Sequence, residues 1–387
     1  MSAPLRKFLI EQIRRDGPMH MGHFISHVLC HPEYGYYTRK DPLGTLGDFT
    51  TAPEISQMFG ELCGAWAADT WIKMGSPEHF ILLEGGPGRG TLMADALRAT
   101  KGVPGFHEAL ELHFLENSPT LRKLQKKATK DFDPRWHDRL ESVPQDRPII
   151  MIANELLDAL PIRQLDKTPD GWAERTVVLA APEKQEESHG GLQGVLEHAM
   201  PNVFSEEDEA LFAYSLRPTP KELERLIPEA YKDAPVGAVY EFSAIRDDFT
   251  AEVCERLKAQ GGAALLIDYG HEHPEPKDTV RAIYNHRYID VLSQVGDADL
   301  SANVNFGRVA EIARVRGVHA FGPTGQGAFL EALGIHMRAD ALKAKASEKQ
   351  AKDIDEGMDR LINPERMGVD FQVIALTSDE KIGSAGF

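Results

Sequence analysis

The stretch Ile81-Leu82-Leu83-Glu84-Gly85-Gly86-Pro87-Gly88-Arg89-Gly90-Thr91-Leu92 constrains the fold more than any other. An apolar run of strand length ends in a carboxylate, glycines crowd the following turn, and Thr91 to Leu97 opens a helical pattern. Glycine has no Cβ and admits positive φ, so chains concentrate it where backbone must approach a ligand closely. Strand, glycine turn and helix in this order form the first unit of a doubly wound α/β sheet, whose ligands sit outside the carboxyl ends of the strands. The glycines alone are equally compatible with an ordinary tight turn; the acid at the strand end is what points beyond it.

Spacing separates the possible ligands. A dinucleotide fingerprint needs Gly-x-Gly-x-x-Gly. Here Gly86, Gly88 and Gly90 are followed directly by Thr91, so the third glycine comes one place early. No Gly-Lys-Ser/Thr follows the turn, so the P-loop pattern is not met either. Glu84 would repel a pyrophosphate, but it suits a ligand that carries an amino group and a sulfonium centre. Amides at the helix N-terminus can still receive that ligand's carboxylate. The next strand, Leu110 to Glu116, also ends in an acid, and Glu116 can accept two hydrogen bonds from ribose hydroxyls. This combination predicts S-adenosylmethionine rather than NAD.

Apolar periodicity extends the α/β pattern. Residues 4–16 and about 19–29 read as helices, and a third helix runs through Phe59, Leu62, Cys63, Trp66 and Ala67. The second of these carries His20, His23 and His27, with His31 just beyond, on roughly one face. A metal site there would want a carboxylate or cysteine in the pattern, and none is present, so a polar or half-buried face is the plainer reading. Pro148 to Asn154 is an unbroken apolar run, as a fully buried strand requires. Strand–helix alternation then breaks. Ile162–Leu165 and Trp172–Leu179 read as a strand pair, 181–200 as a polar excursion and 205–232 as short helices. Alternation is expected to resume with a strand at Val239–Phe242, helix 244–259 and the strand ending at Asp268, followed by helices 306–316, 326–334 and about 347–362 and the last strand, 371–376. Lys343, Lys345, Lys349 and Lys352 are read as a solvated helix face.

Composition removes some functions. Acidic residues outnumber basic ones 60 to 43, a formal charge of −17, which argues against a non-specific nucleic-acid binder. With 42% hydrophobic and 27% charged residues, disorder is not the default. The 3 cysteines are scattered, with no CxxC pair, so no disulfide framework or zinc-thiolate site is expected and a reducing cytoplasm fits. No apolar run has the length of a membrane span, and Met1–Lys7 followed by Glu11 and Asp16 predicts neither a signal nor a transit peptide.

Several blocks taken together resemble the MidA family: Gly47-Asp48-Phe49-Thr50-Thr51-Ala52-Pro53-Glu54-Ile55-Ser56-Gln57, Glu84 to Leu92, Glu116-Asn117-Ser118-Pro119, Asn154-Glu155-Leu156-Leu157-Asp158-Ala159-Leu160-Pro161, Leu266 to Gly270 and Ser301 to Phe306. The resemblance covers nearly the whole chain, with one departure: Gly85 stands where the family has a larger apolar residue. Mitochondrial members are complex I assembly factors and protein arginine methyltransferases. The resemblance therefore implies a class I methyltransferase-like, Rossmann-like doubly wound sheet. Residues 1–75 form a helical N-terminal region with a cofactor-closing loop, 76–161 and 236–387 the core, and 162–235 an insertion serving substrate recognition. It implies S-adenosylmethionine as cofactor and S-adenosylhomocysteine as product, held by Asp48, Phe49, Thr50, Glu84, Gly86, Gly88, Gly90, Glu116, Asn117 and Asn154, with no metal.

An arginine acceptor presents a planar, permanently charged fork of donors, which carboxylates grip in two-pronged fashion. Glu155 and Asp158, after the buried strand, are the first candidates for that role, with Glu241 and Asp48 behind them; Asp158 is equally readable as a helix-start acid. Tyr269 and His271 can line the same site or be surface residues. The expected function is methylation of a protein arginine, such as one in a quinone-site subunit of respiratory complex I, by a bacterial cytoplasmic enzyme. The alternative is an assembly module that retains the fold and binds such a subunit without catalysis.

Overall fold

A computed structural model describes residues 3–39, 51–180, 212–273 and 276–387. The N-terminal region holds α1 (Ala3–Asp16), the short strand β1 (Met19–His20), α2 (Met21–Cys30), α3 (Tyr36–Arg39), α4 (Ala52–Ile55) and α5 (Gln57–Lys73). The first parallel units follow as β2 (Phe80–Gly85), α6 (Thr91–Thr100), α7 (Phe106–Ala109), β3 (Leu110–Leu115), α8 (Pro119–Ala128), β4 (Arg135–His137) and β5 (Ile149–Asn154). Next come β6 (Arg163–Thr168), β7 (Gly171–Leu179), β8 (Phe212–Pro218), α9 (Lys221–Glu224), β9 (Val239–Phe242), α10 (Ala244–Gln260) and β10 (Gly262–His271). The chain continues through β11 (Arg281–Tyr284), β12 (Arg287–Ile289), β13 (Asp299–Ser301), β14 (Val304–Asn305), α11 (Phe306–Arg316) and β15 (His319–Gly325). It ends with α12 (Gln326–Ala332), α13 (Ile335–Lys343), α14 (Glu348–Ile362) and β16 (Phe371–Thr377).

The main sheet runs β15-β16-β10-β5-β2-β3-β4. Strands β4, β3, β2, β5 and β10 are parallel, and β16 runs antiparallel between β10 and β15. From β2 the chain moves outward to β3 and β4, then returns to the other side of β2 as β5. The order therefore reverses between β2 and β5, and the crevice at such a point is where a doubly wound sheet binds its ligand. Alternation divides the core. Phe80, Leu82, Ile150, Ile152, Leu265 and Ile267 face α5, α6 and the α12–α14 helices. Ile81, Leu83, Ile149, Met151, Ala264 and Leu266 face α10 and α11. Burial of both faces explains why these strands are apolar throughout rather than alternating; each such side chain contributes about 1.5–3 kcal/mol relative to leaving it exposed.

A second sheet, β1-β7-β6-β9 with β8 on β7, is covered by α1 and α2 through Leu5, Leu9, Phe24, Val28, Ile162, Val177 and Phe212. It corrects several expectations. Val239–Phe242 does not rejoin the main sheet but pairs antiparallel with β6, Leu165 opposite Tyr240. Met19 and His20 are not helical; they add to β7 opposite Val177 and Thr176. Residues 212–218 form a strand instead of a helix, because Phe212, Tyr214 and Leu216 alternate with a period of two; within 219–232 only α9 and a short turn at Glu229–Tyr231 are helical. The expected polar excursion at 181–200 and the stretch 205–211 lie outside the described residues. The lysine stretch divides between α13 and α14, where Lys343 pairs with Asp355 and Asp340, and Lys352 with Glu356. The histidine face is spent locally: His20 Nδ1 accepts the His23 amide, and the His27 and His31 rings meet Phe8 edge-on.

Helix α5 reaches the glycine turn through an unusually close crossing with α6. A Cβ at Gly60 would lie 2.7 Å from Leu92 O, and one at Gly64 would lie 2.6 Å from Ala96 Cα. The two helices touch backbone to backbone because both positions lack side chains. Gly64→Val is expected to lower unfolding stability by about 2–3 kcal/mol, an overpacking cost that rigid backbone cannot relieve. Gly102→Ala, where a Cβ meets nothing within 4 Å, should be nearly silent in the same denaturant titration. Equal effects from the two variants would refute this account of the crossing.

Candidate active site

The glycine turn joins β2 to α6 at the reversal point. Gly86, Gly88 and Gly90 have φ of 64°, 51° and 81°, the left-handed region that a side chain with a Cβ resists. Gly90 caps α6, and a Cβ there would also press on Gln125 Cα at 3.2 Å. The departure at Gly85 has a local explanation. A Cβ on Gly85 would sit 2.9 Å from Leu156 Cδ2, and one on Gly86 3.1 Å from Leu156 Cδ1, so Leu156 occupies the space that a larger residue would fill.

Glu84 is 3% exposed, and burial, helped by the nearby Glu116 charge, pushes its carboxyl up to about 8. Glu116 is half-buried, and desolvation raises it too, against hydrogen bonds from the Ser118 amide at 2.7 Å and from Gln125 Nε2 at 2.9 Å. Asn117 beside it is exposed. Gln125 was not anticipated. Fully buried on α8, it donates through Nε2 to Gly88 O at 2.8 Å as well as to Glu116, and accepts from Trp136 Nε1. It thereby couples the glycine turn to the acid of the neighbouring strand. The signal available in the sequence was a polar residue one helical turn after Leu121, on the face that α8 buries.

At the end of β5, Glu155 adopts φ 52° while its amide donates to Ile267 O at 2.9 Å. Its Oε1 accepts from Asn154 Nδ2 at 3.0 Å and from the Ala52 amide at 3.3 Å. Protein surrounds the carboxylate but leaves part of Glu155 open to solvent; desolvation, then the Asp158 charge, pushes it up to about 7. Asp158 is likewise partly open, and desolvation, opposed by Arg246, pushes it up to about 6. Asp268, 1% exposed at the end of β10, accepts the amides of Leu157 at 2.8 Å, Asp158 at 3.1 Å and Tyr269 at 2.8 Å. Burial, with Asp158 and Glu155 close by, holds Asp268 well above the usual carboxylate range. Arg246 donates to the carbonyls of Asn303, Ala302 and Asp158, not to a carboxylate.

The structure brings Glu84, Asn154 and Glu155 together beside the turn and sets Asp158 next to Glu155 and Asp268. The start of α4 joins them: Thr91 Oγ1 donates to Glu54 Oε1 at 2.5 Å, and Ala52 reaches Glu155. Asp48, Phe49 and Thr50 lie outside the described residues. Tyr269 is 40% exposed just beyond Asp268. Glu241 lies on β9 of the second sheet and not on a main-sheet strand, with Oε1 accepting from Gln164 Nε2 and the Thr279 amide and Oε2 from Thr279 Oγ1.

Glu84 Oε2 and Asn154 Oδ1 are buried and lack hydrogen-bond partners among the described residues. Two such acceptors at adjacent strand ends call for donors, which the ammonium group of S-adenosylmethionine has, while the glycine turn leaves room for its backbone-facing side. The residues present therefore fit that cofactor. Gly88→Val, a β-branched residue forced to φ 51°, should abolish the stabilisation against heat that S-adenosylmethionine confers on the unaltered protein; an unchanged shift in melting temperature would displace the site. The pH dependence has a definite sign. Glu84 is raised in the folded state, so its contribution to apo-protein stability is complete below about 4.5 and is lost as pH rises through about 8. A bound cation lowers that pKa again and expels the proton, so affinity should rise between pH 6 and 8 by up to about tenfold per unit. Calorimetry in two buffers of different ionisation enthalpy should register the released proton, and Glu84→Gln should flatten the profile; a flat profile in the unaltered protein would contradict the assignment.

Sequence and structure comparisons agree with this geometry. The family model of an S-adenosyl-L-methionine-dependent methyltransferase matches residues 62–324. The chain is 34% identical to the mitochondrial protein arginine methyltransferase NDUFAF7 homolog of Drosophila melanogaster, over 96% of this chain and 84% of that one. It is 32% identical to the mitochondrial protein arginine methyltransferase NDUFAF7 of Homo sapiens, over 98% and 84%. A crystal structure from Burkholderia thailandensis with S-adenosyl-homocysteine bound superposes with a TM-score of 0.79 at 25% identity, covering 99% of this chain and 94% of that one. The strand order is that of the class I methyltransferase fold, and the cofactor is S-adenosylmethionine. The chain therefore belongs to the MidA family of S-adenosylmethionine-dependent methyltransferases.

Proposed function

We propose that the chain transfers a methyl group to a guanidinium nitrogen of an arginine in a protein substrate. One observation carries this reading: Glu155, Asp158 and Asp268 converge at the ends of β5 and β10, and among the described residues none of them is in a salt bridge. The nearby guanidinium of Arg246 is spent on carbonyls. A site with surplus carboxylate and part of its surface open is complementary to a cation delivered from outside, and a guanidinium matches a carboxylate in two-pronged geometry. The names of the relatives, protein arginine methyltransferases, support the same acceptor.

In this reading Glu155 grips the acceptor guanidinium, and Asp158 lies on its far side and offsets its charge. The cofactor supplies a methyl already activated on sulfur. As the nitrogen–carbon bond forms and the carbon–sulfur bond breaks, the acceptor nitrogen must lose a proton. Glu155, poised at about 7, is placed to hold it before release to water. The second sheet follows directly from the acid-bearing loop, with Ser243 Oγ donating to Pro161 O at 2.6 Å, so we assign the 162–235 region to recognition of the protein partner. We take that partner to be a quinone-site subunit of respiratory complex I and place the reaction in the bacterial cytoplasm. Among the described residues no helix is long and apolar enough to cross a membrane.

Purified protein with radiolabelled S-adenosylmethionine is expected to label such a subunit on arginine. Glu155→Gln should lower kcat/KM about a hundredfold or more, with cofactor affinity little changed. Binding of the subunit without label would instead favour an assembly module that has kept the fold.

A further inference from the structure

Beyond the acceptor carboxylates the surface changes character. Tyr269 directly follows Asp268, whose Oδ1 accepts its amide, so the ring is anchored one residue from the acid cluster. By strand alternation Tyr269 stands on the sheet face of Leu265 and Ile267, the same face to which Glu84 and Asn154 belong through Leu82 and Ile152. The Tyr269 ring meets Phe371, its cross-strand partner, edge-on at 5.4 Å and 89°. Beside it lies Asp370, with an oxygen 3.5 Å from the Tyr269 hydroxyl and its carbonyl accepting the Gly270 amide. Tyr269 is 40% exposed, and burial, then Asp370, holds its phenol above the ordinary range.

An exposed tyrosine face beside a carboxylate selects one chemistry. An aromatic face attracts ammonium and guanidinium groups through its quadrupole, and an adjacent acid adds charge attraction. The chain's formal charge of −17 favours the approach of a basic partner at longer range. We propose that Tyr269 and Asp370 form a docking surface for a lysine or arginine side chain flanking the acceptor arginine in the protein substrate. This inference rests on the arginine-acceptor reading above and adds a preference for a basic segment around the acceptor.

The test uses the full chain with S-adenosyl-homocysteine present and two fluorescein-labelled peptides, each with one central arginine spaced by glycine and alanine. One carries flanking lysines and the other flanking glutamates. Fluorescence anisotropy is expected to show the lysine-flanked peptide binding at least about tenfold more tightly. The variant Tyr269→Ala should lose most of that preference without any change in formal charge, whereas Tyr269→Phe should keep it. Unchanged melting temperature and cofactor affinity would show that the alanine variant is folded. No preference in the unaltered protein, or full preference in the folded alanine variant, overturns the proposal. The arginine reading fails separately, if the labelling experiment gives subunit binding without methyl transfer while the peptide preference persists.

Discussion

A carboxylate taken out of water without a partner is among the costlier things a fold can hold. Here Glu84, Glu116, Glu155, Asp158 and Asp268 all stand at the carboxyl edge of one sheet, each raised above its ordinary range by burial. The fold tolerates them in two ways. Asp268 and Glu116 are satisfied by donated N–H groups from backbone and Gln125, which stabilise charge without cancelling it. Glu84 and Glu155 are left to protonate near neutrality. Neither arrangement pairs these acids with a cation of the chain, so the edge gains most when a cation arrives from outside: the ammonium and sulfonium of the cofactor over the glycine turn and, in the proposed reaction, a guanidinium over β5 and β10.

Contrast the second sheet, where charge is cancelled internally. Glu174 is fully buried and pairs with Arg163 on one oxygen and Arg217 on the other. Arg175 is held by Asp166 and Asp278. Breaking one member of such a buried set strands the others, so these networks fix strand register more than they add net stability. The two regions use the same residue types to opposite ends. The second sheet closes its charges and becomes rigid; the edge of the main sheet leaves them open and becomes a site.

Much of this was legible in the sequence, for identifiable reasons. Buried parallel strands are continuously apolar, so β2, β5 and β10 announce themselves. Glycines forced to positive φ mark the turn at 86, 88 and 90, and acids at strand ends mark Glu84 and Glu116. What was not legible depends on partners distant in sequence. Val239–Phe242 reads equally well as a strand of either sheet; only its pairing with β6 decides. Glu241 reads in the sequence as a strand-borne acid, and the partners that hold its carboxylate, Gln164 and Thr279, lie 77 and 38 residues away. Gln125 and the helix-crossing glycines at 60 and 64 were overlooked because helical periodicity describes which face is buried, not what lies 3 Å beyond it.

The backbone at Glu155 shows what the proposed acceptor role requires of this residue. A strand continuing past Asn154 would turn residue 155 to the α10–α11 face, the face of Asp268, because side chains alternate. At φ 52° the chain reverses, and the Glu155 carboxylate comes back over Asn154 to within hydrogen-bond reach of Nδ2 and of the Ala52 amide. A left-handed residue with a Cβ costs roughly 1–2 kcal/mol, which glycine would avoid. Glycine, however, would leave no carboxylate on the cofactor side, and an extended glutamate would place it behind the sheet. The strained conformation is thus the one that lets one short segment present Asn154 and Glu155 to the same crevice while its following amides, at Leu157 and Asp158, remain bound to Asp268 on the other face. The loop is clamped from both sides of the sheet, and in the proposed reaction its acids face the incoming guanidinium without a rearrangement of the strands beneath them.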